Sequence, residues 1–99
     1  MKSFWENTEI KIGTVVENTE TKLFFQATED IPAIKNIVPG CGCSTFRFDH
    51  NSKKLHITYK AGKIPYHLNK EQFVSKHFGI TYTDGTHESL VFTGKKVKS

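Results

Sequence analysis

The sequence predicts an all-β protein, folded as one sandwich of about seven strands. Three observations lead there. Apolar residues recur with a period of two along almost the whole chain, the signature of strands with one buried face. Turn-forming residues separate these runs at the short spacing a sandwich or barrel needs. Eight phenylalanines stand among 99 residues, enough to fill a thin core from few side chains.

The elements follow in order. Ile10 and Ile12 alternate with Glu9 and Lys11 in a strand near 8–16, closed by Glu17-Asn18. Over 20–27, Leu23, Phe25 and Ala27 alternate with Lys22, Phe24 and Gln26, which leaves some apolar content on both faces. A third strand, 31–38, runs into Pro39-Gly40. Phe46 and Phe48 flank Arg47 in a fourth over 44–49, and Asp49-His50-Asn51-Ser52 turns the chain. The fifth, 53–61, alternates cleanly, with Leu55, Ile57 and Tyr59 on one face and Lys54, His56, Thr58 and Lys60 on the other. The last two, 72–82 and 88–97, flank Asp84-Gly85, the best hairpin signal in the chain. Between them and the fifth strand, Leu68–Val74 carries a potential N-cap at Asn69 and is a candidate helical turn. Phe25, Leu55, Ile57, Phe78, Ile80 and Phe92 are the expected core.

Ninety-nine residues make one domain, here with an N-terminal arm over 1–7 and a short tail at 98–99. No apolar run approaches the ~20 residues a membrane helix needs, so no membrane partner is expected. Glu6 and Glu9 interrupt the N-terminal region, against a secretory signal, and a cytoplasmic or virion location with reduced thiols is expected. The net charge is +4, but Arg47 is the lone arginine among 14 basic residues. Readers of bases and phosphates favour the arginine fork, so specific nucleic-acid binding is not expected.

Cys41-Gly42-Cys43 is the most unusual motif. It has two readings. Paired thiolates could ligate a metal or serve redox chemistry, making Cys41 and Cys43 candidate ligands. Alternatively the small thiols pack beneath a tight turn, with no metal and no cofactor. A closed zinc site needs four ligands, and His50, His56, His67, His77 and His87 show no spacing that would pin a partner. No Gly-x-Ser-x-Gly elbow, phosphate loop or dinucleotide turn occurs, and Asp30, Asp49 and Asp84 sit at turns. Catalysis is therefore not expected.

Around this motif the chain resembles the immunoglobulin-like bacterial domain family of unknown function that carries a Cys-Gly-Cys-Thr motif. The matching residues are Gly13-Thr14-Val15, the aromatic Leu23-Phe24-Phe25, Pro32-Ala33-Ile34-Lys35-Asn36-Ile37-Val38, then Cys41-Gly42-Cys43-Ser44, and Gly94-Lys95-Lys96-Val97 at the close. Ser44 stands where Thr is usual, and Ala27-Thr28-Glu29-Asp30 replaces the family's Asn-Thr-Gly turn. The resemblance spans roughly 8–97 and implies an immunoglobulin-like sandwich; it implies no activity.

Phe4 and Trp5 precede the first strand, either capping the core or forming an interface arm. Lys95 and Lys96, with Lys98, read as a basic tail placed to reach the same partner. These features suit a non-enzymatic assembly module with protein partners, and the specific expectation is a capsid decoration or cement subunit contacting capsid subunits in a virion. The alternatives are a thiol-based metal or redox module and an adaptor that binds a peptide along a sheet edge.

Overall fold

The computed structural model describes residues 3–40, 44–65 and 71–98. Cys41, Cys43 and His67 lie outside them, as does the first half of the candidate helical turn. The described residues form seven strands: β1 (Glu9–Val16), β2 (Glu20–Gln26), β3 (Ile34–Pro39), β4 (Ser44–Asp49), β5 (Lys54–Lys60), β6 (Glu71–Tyr82) and β7 (His87–Val97). One sheet has the order β1-β7-β6-β3 and the other β2-β5-β4. That is the immunoglobulin-like arrangement, with the first strand added beside the last.

The strand expectations hold closely, with two differences. Residues 71–74 are extended rather than helical, because Glu71 to Val74 pair in register with Val97 to Gly94. Leu68-Asn69-Lys70 of that candidate turn lie outside the described residues. The third strand begins at Ile34 rather than residue 31, since Pro32 has no N–H to offer a ladder.

β1 runs parallel to β7 while the remaining pairs are antiparallel. A parallel neighbour requires a crossover, and here the rest of the sandwich supplies it. The chain changes sheets at Glu17-Asn18. The Glu17 N–H donates to Val97 O at the end of β7 (2.8 Å), whereas the Asn18 N–H donates to Ala61 O just past β5 (2.7 Å). Asn18 takes a φ of 63°, a left-handed value that Asn tolerates well. At the other end Asp84-Gly85 forms the expected hairpin, with Gly85 at φ 89° and the Asp84 carboxylate accepting from Thr86 N (2.9 Å) and Oγ1 (2.6 Å).

The six expected core residues are all buried between the sheets, none more than 1% exposed. Tyr59, Val74, Tyr82 and Leu90 join them. Tyr59 and Phe78 pack their rings on Phe92, with centroids 5.4 and 6.3 Å away. Aromatic edges and faces thus fill most of the space between the sheets.

One backbone contact decides how closely β1 approaches β7. The register shifts between Lys11 and Gly13, and Gly13 then sits opposite Gly94 with a φ of 75°. A Cβ on Gly94 would lie 2.5 Å from Gly13 O and 2.7 Å from Ile12 Cγ1. Gly94→Ala is therefore expected to lower stability by about 1–3 kcal/mol. Urea denaturation checks this; an unchanged midpoint would mean that β1 and β7 do not meet at these glycines.

Candidate docking surfaces

The N-terminal segment is part of the fold. Trp5 is 3% exposed, bridges to Ala27, and packs edge-on against Phe48 at 6.1 Å. Its Nε1–H donates to Tyr82 Oη (2.9 Å), and Tyr82 Oη donates to Glu88 Oε1 (2.8 Å). Glu88 also accepts from the Phe4 N–H (3.1 Å) and from Ser3 Oγ. Phe4 is half-buried and meets the Tyr82 ring edge-on at 5.6 Å. Burial, and the carboxylate beside it, hold the Tyr82 hydroxyl well above its usual pKa, so it stays a neutral donor. The interface-arm alternative thus fails for Trp5, whose surface is already covered, and Phe4 is tied beside it. The two aromatics cap the sandwich.

Lys95 and Lys96, grouped with Lys98 as a basic tail, belong to the last strand. Both lie inside β7, held between β1 and β6: Lys95 opposite Phe73 and Thr14, Lys96 opposite Gln72 and Val15. Lys95 points outward and pairs with Glu71 at 3.3 Å, both side chains being well exposed. Such a pair adds little stability.

Alternation reveals what the sequence reading did not single out. On β6, Val74, Phe78, Ile80 and Tyr82 face the core, so Phe73 has the opposite parity and faces solvent. It is 77% exposed. Gly13, without a side chain, leaves open space on this face, and it lines a shallow groove of about 450 Å³ with Lys11, Phe73, Thr93, Gly94 and Lys95. Val38 is exposed on the same sheet, on edge strand β3 opposite Gly79. Its parity against Phe78 was the signal available in sequence for Phe73.

The outer face of the three-stranded sheet has a different character. Phe24, 47% exposed, packs against the His56 ring at 6.2 Å, and Lys54 Nζ lies 4.7 Å over its centroid. Lys22, Thr45, Arg47, His56 and Thr58 line a second groove of about 370 Å³ with Phe46 at its margin. Phe24 is the residue behind the two-sided apolar pattern of β2.

Among the described residues, no three of His, Cys, Asp and Glu converge as a metal site. His56 and His77 lie on the outer faces of different sheets, while His50 and His87 sit at strand ends. No helix of the described residues is long and apolar enough to cross a membrane.

No known protein family and no curated protein matches the chain. Among solved structures it is similar to a crystal structure of the SrpA adhesin from Streptococcus sanguinis, with a TM-score of 0.62 and 14% identity. That likeness covers 93% of this chain and 58% of the adhesin chain. It is a likeness of fold.

Proposed function

We propose that this chain is a non-catalytic assembly module that docks on a protein surface through the outer face of β1, β7 and β6, in the setting of a virus particle as a capsid decoration or cement subunit. The carrying observation is Phe73, 77% exposed beside a groove. Covering such a ring contributes about 1.5–3 kcal/mol. Aromatic centres ringed by charged residues recur at protein interfaces, and here Lys11, Glu71 and Lys95 supply the rim. The rest of the sandwich supports a binding role, since its inward faces are filled by core side chains and the two grooves described above are open and shallow. Membership of the Cys-Gly-Cys-Thr domains belongs to the same proposal. Its support is that Gly13-Thr14-Val15 and Gly94 fall at the β1–β7 contact, where a motif would be needed for packing.

A photo-crosslinking amino acid at position 73, introduced in the natural host, tests this. A crosslink to a capsid subunit or another particle protein is expected. A crosslink only to proteins outside the particle would overturn the proposal. Phe73→Ser should abolish particle occupancy while changing stability by no more than about 0.5 kcal/mol, because the ring is already in water. Full occupancy by that variant would remove Phe73 from the interface.

A further inference from the structure

We infer that the outer face of the three-stranded sheet is a separate docking surface for an acidic segment of a protein partner. The basis is an imbalance of charge between the two sides of the sandwich. On the four-stranded sheet, Lys11 and Lys95 share their face with Glu9 and Glu71, and Lys95 and Glu71 pair directly. The three-stranded sheet instead presents Lys22, Arg47, Lys54 and Lys60 against Glu20 and Asp49.

Those two carboxylates offset only part of that charge, two acids standing against four cations, with Asp49 near enough to Arg47 to feel its attraction. Glu20 lies opposite Lys60 at one end of the sheet. Asp49 lies at the other end, where its Oδ1 accepts from the Asn51 N–H at 2.9 Å and caps its own turn. Between them, Lys22 and Arg47 form no ion pair among the described residues. They stand on the strands either side of β5, their backbones on the order of 10 Å apart across the sheet. The hydroxyls of Thr45 and Thr58 and the ring of His56 line the same groove, of about 370 Å³. An arginine fork, an ammonium and two hydroxyls facing one hollow supply the donors that carboxylates accept from.

The exposed ring of Phe24 adds an apolar contact at the margin, which suits a polypeptide carrying both acidic and apolar side chains. A nucleic-acid backbone fits less well. The cationic centre runs only the length of β5, roughly 20 Å, and the acidic residues at both ends would repel a continuing phosphate chain.

Titration of the full chain with a Glu-Glu-Phe-Glu-Glu peptide, short enough to stay within the cationic centre, followed by amide NMR shifts, tests the inference. Perturbations centred on Lys22, Thr45, Arg47, His56 and Thr58 are expected, weakening as salt rises. Lys22→Glu/Arg47→Glu should weaken peptide binding at least tenfold with the melting temperature nearly unchanged, all of these side chains being at the surface. Lys35→Glu/Lys63→Glu, with the same change in net charge away from this face, should bind as the parent does. Equal loss in both double variants would reduce the effect to bulk charge and overturn the site. So would perturbations on the other sheet, or tighter binding of a 20-nucleotide single-stranded DNA than of the peptide.

Discussion

Phe92→Ala is expected to destabilise the domain by about 3–5 kcal/mol, the largest single effect in the core. The ring is fully buried on β7, between Tyr59 of one sheet and Phe78 of its own. Its removal opens a void on both sides at once. Neither neighbour can close it without leaving a ladder position, since Tyr59 pairs within β5 and Phe78 within β6. For a domain of this size the melting temperature should fall by at least ~12 °C. Calorimetry decides it. A fall of only a degree or two would mean that the register of β7 is wrong, because slipping by one residue would turn position 92 to solvent.

Trp5→Ala should cost nearly as much, about 3–5 kcal/mol, although Trp5 precedes the first strand. Its indole is 3% exposed and holds the end of the sandwich shut against Phe48. The segment is further secured by backbone bonds from the Glu6 N–H to Gln26 O (2.9 Å) and from the Thr28 N–H to Phe4 O (2.8 Å). Trp5→Phe keeps most of the apolar burial and loses the bond to Tyr82 Oη, so it should cost only about 1–2 kcal/mol. Trp5 is the single tryptophan of the chain. Unfolding of both variants must therefore be followed by far-ultraviolet circular dichroism rather than by indole fluorescence. Equal stability of Trp5→Ala and the parent would mean that the segment is undocked in solution, and the interface-arm reading would return.

The strands were legible because alternation is a local property. A residue's parity within a strand assigns its face, and Leu55-His56-Ile57-Thr58-Tyr59 states that assignment without any partner in view. The Asp84-Gly85 hairpin was legible for a similar reason, since its turn chemistry is contained within a few residues. The same parity placed Phe24 and Phe73 outward, but two consecutive aromatics in one strand and a short apolar pair in another drew attention to the core instead. Their exposure became evident only once both sheets were assembled.

What the sequence determined alone was therefore the number of strands, their order along the chain and the six aromatic and aliphatic side chains at the centre. These follow from backbone periodicity and the tendency of apolar surface to leave water, both of which act over a few residues. Three other features required the tertiary structure. Trp5 belongs to the core because a bridge to Ala27 and a bond to Tyr82 bring distant segments to it. Lys95 stands beside Phe73 and pairs with Glu71 because β6 lies against β7 in this register. Lys22 and Arg47 share a groove because β5 separates β2 from β4 by one strand. Each depends on which strands become neighbours, and that choice is made by long-range pairing and packing, which no local pattern encodes.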